Sequence, residues 1–272
     1  RISHEAIWHY LTLQYIPDPL SIFENVCKLP PAHILTLQDS KIELRRYWEL
    51  NYEPKDTRNE EELSRAVREE LNRAVKMRLI SDVPLGAFLS GGIDSSIIVG
   101  LMAQESRQAV KTFSIGFEEE SFSELPYARL VAEKFKTDHH EFIVRYSDAL
   151  NDLPKLAYAL DEPFADSSAL PTYYLSQLTR RYVTVALNGD GGDETFAGYQ
   201  RYVLDQYARY YAMLPEFLTQ RFIPGAMSLF PESASLPIEA NVIAGLKRLS
   251  QVAAITEKAS IIRWGSYRRS WG

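Results

Sequence analysis

The chain contains a single cysteine, Cys27, among its 272 residues. One cysteine excludes an intrachain disulfide and a zinc site built from several cysteines, and it fits a reducing compartment, so we expect a cytoplasmic protein. No run of about eighteen apolar residues is present, which argues against a transmembrane helix and a membrane partner. The opening residues Arg1 to Glu5 resemble neither a signal peptide nor a natural start, and we expect a piece of a longer protein.

Positive charge is in short supply: 30 Lys and Arg face 36 Asp and Glu, for a net charge of −6. This balance provides no field toward a phosphate backbone, so we expect no nucleic-acid partner. No Gly-Lys pair occurs, which excludes the phosphate loop of the common nucleotide hydrolases. The dinucleotide fingerprint is approached at Gly189-Asp190-Gly191, but Glu194 stands at the third glycine position, which argues against a nicotinamide enzyme.

The first fifty residues differ in pattern from the rest. Short alternating segments over 34–37, 41–44 and 47–50 predict strands, with a tight turn at Gln38-Asp39-Ser40. A polar stretch over 51–59 follows, in which Pro54 blocks continuation of a helix. We therefore predict a short β-rich unit over residues 1–52 and a second domain over residues 53–272.

Helical periodicity begins in the second domain. Apolar residues from Glu60 to Leu79 have the spacing of an amphipathic helix, and Asn59 is a suitable cap. Strand patterns over 86–89, 111–117, 140–144 and 183–187 then alternate with helical patterns over 94–105, 124–135, 147–159 and 169–181. This alternation predicts an α/β fold, a doubly wound and mostly parallel sheet with helices on both faces.

A helical C-terminal part is predicted after Tyr199, with the tyrosines from Tyr202 to Tyr211 on a packed helix face. Ligands of open parallel sheets bind beyond the carboxyl ends of the strands. Ser90, Gly116 and Asn188 each follow or end a predicted strand. We therefore expect these three positions to converge.

The most informative motif is the turn Ser90-Gly91-Gly92-Ile93-Asp94-Ser95-Ser96 between a strand and a helix. Gly91 and Gly92 are expected to supply backbone angles and close approach that a Cβ would prevent. The free N–H groups of such a turn and its hydroxyls can hold the pyrophosphate of ATP. Asp94 has two possible roles, capping the helix or holding a magnesium ion. The alternative is a capped turn without a ligand.

A second glycine-rich turn, from Asn188 to Tyr199, carries several carboxylates. Like charges 4 Å apart repel by about 4 kcal/mol at an effective dielectric of about 20, so these acids would repel a phosphate unless a cation lies between them. Together with Asp94 they indicate magnesium. A calcium loop and a bend with solvated acids are the alternatives, but the spacing does not fit an EF-hand.

With both turns considered, the chain resembles the glutamine-dependent asparagine synthetase family, in its ATP-pyrophosphatase synthetase domain. Similarity covers most of residues 60 to 202, and the stretches over 15–19 and 29–31 resemble the end of the family's glutaminase domain. The matching segments are Ser90–Ser96, Thr112–Phe117, Tyr127–Arg129, Asp138–Glu141, Asp161–Pro163 and Gly189–Tyr199.

The resemblance implies an adenine nucleotide alpha hydrolase-like fold and an ATP-dependent ligase. In the family, the aspartate side chain attacks the α-phosphorus of ATP to give an aspartyl adenylate and pyrophosphate. Ammonia from glutamine, supplied by the glutaminase domain of the same chain, then displaces AMP to give asparagine. The implied roles are pyrophosphate binding by Ser90, Gly91, Gly92, Ser95 and Ser96, magnesium binding by Asp94 and Asp193, adenosine binding by Leu89, Ile115, Asn188 and Gly189, and formation or use of the adenylate by Asp190.

Two departures from the family pattern restrict what this chain is expected to do. The glutaminase nucleophile is an N-terminal cysteine, whereas this chain begins with Arg1, and Cys27 has no such role. A lysine important to the synthetase chemistry is expected beyond Gly272. His139 and His140 are adjacent on a strand, point to opposite faces, and are interpreted as structural.

Two alternative functions are considered beside asparagine synthesis. The first is a related ATP-pyrophosphatase that acts as an amidotransferase or cyclase on another carboxylate. The second is a nucleotide-binding module without turnover. Asp161 is assigned to the acceptor side. A homodimer stays open as a possible assembly.

Overall fold

The computed structural model describes residues 1–118 and 123–199 and, further along, residues 202–203, 206, 210–211, 213–215 and 217–228. Contacts define two compact units: one runs from Asp18 to Gly192, and the other consists of Arg1–Pro17 with the chain from Asp193 onward. The division predicted near residue 52 stays a prediction. Helix α1 (His4–Leu13) belongs to the second of these units and begins where the Ser3 hydroxyl accepts a hydrogen bond from Ala6 N at 3.2 Å. No helix was predicted from the sequence at this position.

The N-terminal hairpin of the unit from Asp18 to Gly192 consists of β1 (His33–Gln38) and β2 (Lys41–Arg46), paired antiparallel. Asp39 and Ser40 both have positive φ, at 49° and 60°, as a two-residue hairpin turn requires. The third strand predicted over 47–50 is wrong. The amide of Tyr47 still donates to the carbonyl of Ala32 at 2.8 Å, in the register of the β1–β2 pair, but Ala32 has a positive φ of 59° and the extended conformation ends there.

The central sheet has four parallel strands, in the spatial order β5, β4, β3, β6. The strands are β3 (Leu85–Phe88), β4 (Lys111–Phe117), β5 (Asp138–Val144) and β6 (Val185–Leu187). The chain moves outward from β3 through β4 to β5 and then returns to the other side of β3. The order therefore reverses beside β3, and the ends of β3 and β6 flank the point where such sheets bind ligands.

Helices cover both faces of this sheet. They are α2 (Glu60–Arg78), α3 (Ile93–Glu105), α4 (Leu125–Phe135), α5 (Tyr146–Leu160) and α6 (Ala169–Thr179). The first three pack around a buried cluster that includes Ala87, Val99 and Met102, whereas α6 packs at a second cluster around Val144 and Tyr174. The doubly wound parallel sheet predicted from the sequence is confirmed.

The sequence predicted the start of α2 correctly but not the starts of β5 and β6. Asn59 caps α2 as predicted: its Oδ1 accepts from Glu62 N at 3.0 Å, and Glu62 Oε2 accepts from Asn59 N at 3.2 Å. Strand β6 is shorter than the predicted 183–187, because Val183 N still donates to Thr179 O, behind it in the chain, at 3.1 Å. Strand β5 begins two residues earlier than predicted, where Asp138 N donates to Val110 O at 2.9 Å.

Beyond the sheet come α7 (Gly192–Phe196), a π-helical turn over Leu218–Phe222, and α8 (Ile223–Ser228). The predicted tyrosine-rich helix face over 202–211 lies only partly within the described residues. There Tyr202, Val203 and Tyr210 are 42%, 52% and 66% exposed, whereas Tyr211 is half-buried and its hydroxyl donates to Thr219 O at 2.8 Å, so the packed face stays a prediction. No helix in the described ranges has the length and apolarity needed to cross a bilayer.

Candidate active site

The nucleotide turn, which we define as Ser90 to Ser96, leaves the sheet from a firmly held residue. Leu89 is 1% exposed, its N–H donates to Phe113 O at 2.8 Å, and its carbonyl accepts the hydroxyl of Ser114. Both partners lie on β4, so the neighbouring strand fixes the direction in which the turn departs. The structure places the side chain of Leu89 in the core beneath the turn, and its predicted adenosine contact stays a prediction.

Only one of the two predicted glycines needs its conformational freedom. Gly91 has φ +86°, and a Cβ there would lie 2.5 Å from Tyr127 Cβ and 2.6 Å from Ala128 N. Gly92 has φ −67° and ψ 164°, a conformation open to any residue. The sequence-based claim for unusual backbone angles is therefore confirmed at Gly91 and wrong at Gly92.

The serines of the turn bond to one another and to Gly92. The hydroxyls of Ser90 and Ser95 lie 2.9 Å apart, and the hydroxyl of Ser96 donates to Gly92 O at 2.6 Å. Gly92 N donates to Ser90 Oγ at 3.2 Å, and the hydroxyl of Ser95 reaches Gly92 O at 3.2 Å. These bonds hold three hydroxyls around one point of the backbone. If an anion bound here, some of these hydroxyls would donate to the anion instead of to Gly92 O or to one another.

The start of α3 has no internal cap. Gly92 is its N-cap residue and has no side chain, and no side-chain hydrogen bond caps the first turn. The first N–H groups of a helix have no partner within the helix and carry partial positive charge. Asp94 lies in this first turn but does not cap it, so the capping alternative considered for Asp94 is wrong. The start of α3 therefore has the uncapped N–H groups that bind anions at helix N-termini in general.

The second turn meets the first at Asp94. A Cβ on Gly189 would lie 2.8 Å from Asp94 Cβ and 2.8 Å from Ser95 N, and one on Gly192 would lie 2.5 Å from Asp94 Oδ2. The loop after β6 is therefore packed directly on the start of α3. The predicted convergence of the segments after β3 and β6 is confirmed.

The polar groups of this second turn are also organised. Asn188 Nδ2 donates to Asp190 Oδ2 at 2.6 Å, and Asp190 N donates to Asn188 Oδ1 at 3.3 Å. Both residues are exposed. Asp190 therefore presents a carboxylate whose orientation its own loop fixes.

Gly116, the third of the positions predicted to converge, lies near the end of β4. A Cβ on Gly116 would lie 2.5 Å from Leu125 Cδ1, so the first turn of α4 fills the space beside it. Ile115 is half-buried and packs at the cluster around Val144 and Tyr174. Its predicted adenosine contact stays a prediction.

Asp193 is the first residue of the C-terminal segment of the other compact unit. Its backbone carbonyl accepts from Gly198 N at 3.0 Å, and its carboxylate lies against Gly198. Its role as a magnesium ligand stays a prediction.

The donor set around Asp94 fits a hard cation. Asp94 makes no ion pair with any Lys or Arg in the described part of the chain, and the hydroxyls of Ser90, Ser95 and Ser96 lie in the same turn. Among the described residues, no three His, Cys, Asp or Glu side chains form a group that could hold a metal. Magnesium is usually held by one or two carboxylates together with substrate phosphates and water, and the carboxylate of Asp94 is an oxygen ligand of this kind.

The two adjacent histidines lie on opposite faces of β5, as predicted. His139 Nδ1 lies 2.9 Å from Thr112 Oγ1, whereas the ring of His140 stacks on Phe113 at 5.3 Å. Burial lowers the pKa of His139 below its usual value, against the opposing effect of Glu141. Both histidines serve packing in this structure.

Glu141 is held by an arginine. Arg129 Nε and Nη2 donate to its two oxygens at 2.8 and 2.7 Å. These hydrogen bonds lower the pKa of Glu141 and raise that of Arg129. The pair joins α4 to β5.

One ion pair was not predicted from the sequence. Lys28 Nζ lies 2.7 Å from Glu162 Oε1, and both side chains are half-buried. Glu162 follows Asp161, which ends α5 in a left-handed conformation with φ 60°. No local pattern links residues so far apart in the chain, and only the acidic character of the Asp161-Glu162-Pro163 loop drew attention to one partner.

An α/β sheet with an uncapped helix start at its switch point defines a class of proteins that bind anionic ligands beyond the ends of their strands. Within that class, the chain matches the model of the asparagine synthase family over residues 66–264. The chain belongs to the asparagine synthase family.

The relatives extend well beyond this chain. It is 41% identical over 221 residues to putative asparagine synthetase (glutamine-hydrolyzing) 2 of Methanocaldococcus jannaschii, covering 80% of this chain and 42% of that protein. It is 38% identical over 202 residues to asparagine synthetase (glutamine-hydrolyzing) 1 of Bacillus subtilis, covering 74% of this chain and 32% of that protein. The chain thus spans less than half the length of these curated relatives.

Solved structures show a remote likeness. The chain is similar to the NMN synthetase of Francisella tularensis with a TM-score of 0.39 and 14% identity, over 76% of this chain and 93% of that one. It is similar to a glutamine-dependent NAD+ synthetase of Acinetobacter baumannii in complex with ADP with a TM-score of 0.37 and 17% identity, over 76% of this chain and 45% of that one.

Proposed function

We propose that this chain is the ATP-using part of a glutamine-hydrolysing asparagine synthetase, a ligase that forms a carbon–nitrogen bond. The observation that carries the proposal is the start of α3, which no side chain caps and which has the hydroxyls of Ser90, Ser95 and Ser96 and the carboxylate of Asp94 in the same turn. Family membership supports the choice of reaction, and the relatives named above are asparagine synthetases.

The proposed chemistry has two steps. A carboxylate oxygen of aspartate attacks the α-phosphorus of ATP, the bond to the bridging oxygen of the β-phosphate breaks, and pyrophosphate leaves. Ammonia then attacks the acyl carbon of the aspartyl adenylate, loses a proton, and displaces AMP. The nucleotide turn is proposed to bind the leaving pyrophosphate, because its N–H groups act where negative charge accumulates.

Charge on the leaving group sets a second requirement. We propose that Asp94, together with Asp193, holds magnesium, which would neutralise charge on the pyrophosphate. Asp190 is proposed to act on the acceptor side, where a carboxylate held by Asn188 can orient the incoming amine. Asn188 and Gly189, with Leu89 and Ile115, are proposed to hold the adenosine part.

The remaining proposals concern partners and location. We propose that ammonia comes from a glutaminase domain of the same protein. We also propose that the protein is cytoplasmic and assembles as a homodimer. A cyclase or amidotransferase acting on another carboxylate is the competing function, because the nucleotide turn does not select the acceptor.

The test is pyrophosphate exchange with the full-length protein across a panel of carboxylates. We expect exchange that depends on aspartate, and AMP with pyrophosphate as the nucleotide products when ammonia is supplied. Formation of ADP and phosphate would refute the whole proposal. Exchange with another carboxylate and none with aspartate would favour the competing function, and ATP binding without any exchange would indicate a module without turnover.

Variants assign the carboxylates. We expect Asp94→Ala and Asp193→Ala each to weaken use of Mg–ATP at least about tenfold, since each removes a charge from the proposed ion. Asp161→Ala is expected to act mainly on the acceptor. Asp82→Ala is the matched control, because this exposed aspartate precedes β3 at the opposite end of the sheet from the turn. Exchange that survives unchanged in the first two variants would remove those residues from the site.

A further inference from the structure

The ion pair of Arg129 and Glu141 takes no part in the chemistry proposed above, yet its geometry is demanding. Two parallel hydrogen bonds of 2.8 and 2.7 Å join the guanidinium on α4 to the carboxylate on β5. A bidentate pair of this kind fixes direction as well as distance. It therefore sets how the first turns of α4 lie against β5, which is at the edge of the sheet.

Those first turns of α4 are also what the nucleotide turn rests on. Gly91 approaches Tyr127 and Ala128 so closely that a Cβ would lie 2.5 to 2.6 Å from their atoms, two of which belong to the backbone. Leu125, one turn earlier, occupies the space beside Gly116 at the end of β4. A backbone contact cannot yield by a change of rotamer. Any displacement of α4 is therefore passed to Gly91.

On its other side Glu141 faces the ring of His139, which belongs to a set of polar groups around the buried Thr112. His139 Nε2 lies 3.4 Å from Glu141 Oε1, longer than an ordinary hydrogen bond, and His139 Nδ1 lies 2.9 Å from Thr112 Oγ1. Thr112 is fully buried and its hydroxyl also lies 2.8 Å from that of Thr137. The two bonds from Arg129 are therefore the hydrogen bonds that orient this carboxylate in the described part of the chain.

We propose that Arg129 and Glu141 are a positioning pair for the nucleotide turn. By holding α4 on β5 they place Tyr127 and Ala128, and through these two residues they set the conformation of Gly91. Neither member of the pair is proposed to touch the nucleotide. The inference rests on the proposed function only in taking ATP as the ligand of the turn, and it predicts an effect on ATP rather than on the acceptor.

The test is a double-mutant cycle of Arg129→Ala and Glu141→Ala in the full-length protein, with Mg–ATP affinity measured by calorimetry in the absence of any acceptor. We expect each single variant to weaken ATP binding about three- to tenfold, and the double variant to bind about as well as the weaker single one. Arg129→Lys should not restore affinity, because an ammonium group cannot make two parallel bonds. Glu141→Gln retains the side-chain shape and provides a second, milder member of the series.

A matched control is available on α2. Arg73 bonds Glu70 through Nε at 3.0 Å and Nη2 at 2.7 Å, and both side chains are more exposed than those of the proposed pair. We expect Arg73→Ala to leave ATP affinity within about twofold of the original protein. Thermal unfolding of all variants shows whether an effect on ATP merely follows lost stability.

Three results would overturn the inference: ATP affinity in Arg129→Ala equal to that in Arg73→Ala, additive effects of the two single variants, or a rise in the KM for the acceptor as large as the loss of ATP affinity. The proposed function fails separately. A protein that binds ATP but does not exchange pyrophosphate with aspartate refutes the proposed acceptor, while the cycle still decides the role of the pair.

Discussion

Substitution of Gly91 by alanine tests how the nucleotide turn is built. An alanine with φ near +86° takes a left-handed conformation that costs about 1–2 kcal/mol. Its Cβ would also lie 2.5 Å from Tyr127 Cβ, about 1 Å closer than carbon atoms normally approach. Overpacking of this kind adds about 1–3 kcal/mol. We therefore expect the free energy of unfolding to fall by about 2–5 kcal/mol.

The measurement is thermal unfolding of the full-length protein, followed by ATP binding at a temperature where all variants are folded. A loss of this size lowers the midpoint by roughly 5–15 °C in a unit of this size. Displacement of the turn by about 1 Å can also reduce turnover by about a hundredfold. Both effects have one cause, so they should appear together.

The neighbouring glycine provides the control. Gly92→Ala keeps an allowed conformation, and its Cβ would lie 3.3 Å from Ser90 Oγ, a movable atom, so we expect a loss below about 1 kcal/mol. Equal midpoints for the two alanine variants would show that the contact with α4 does not hold the turn and would refute the reasoning.

Three further substitutions address the surroundings of the turn. Ser114→Ala leaves the buried carbonyl of Leu89 without its hydroxyl donor, and urea unfolding should show a loss of about 1–3 kcal/mol; no loss would mean that another donor replaces it. Gly189→Ala places a methyl group 2.8 Å from Asp94 Cβ, and calorimetry should show ATP affinity reduced at least about tenfold; unchanged affinity would separate this loop from the site. The pKa of His139 is lowered by burial from its usual 6.5, so the unfolded chain binds more protons below that pH and stability should fall as the pH drops from about 7 toward 5. His139→Gln should flatten this decline in thermal midpoint, and an identical pH profile in the variant would contradict the assignment.

Features set by neighbours in the chain were predictable from the sequence. The cap of α2 depends on Asn59 and Glu62, three residues apart, and β4 was predicted with its observed bounds, Lys111–Phe117. The parallel sheet followed from the alternation of strand and helix patterns. The convergence of the two turns followed from the rule that ligands bind beyond the carboxyl ends of the strands.

Features set by distant contacts were not predictable. The alternation over 47–50 suited a strand, but these residues form no strand, and Tyr47 bonds only at the end of the existing β1–β2 pair, to Ala32. Gly91 and Gly92 are adjacent residues of one type, and the sequence does not distinguish them, whereas in the structure Gly91 alone has a positive φ and contacts α4. The bond between Lys28 and Glu162 joins residues whose positions in the chain carry no information about each other.

The pairing of β3 with β6 has a consequence for folding. Leu85 pairs with Val185, about 100 residues later, whereas the partners of β4 on either side lie within about 30 residues of it. Contacts between distant segments form slowly, because a long loop must close before they stabilise the chain. A chain emerging from the ribosome can thus assemble β3, β4 and β5 while the Asn188 loop is still unsynthesised. We therefore expect this unit to gain affinity for the nucleotide only in the last step of its folding, when β6 pairs with β3.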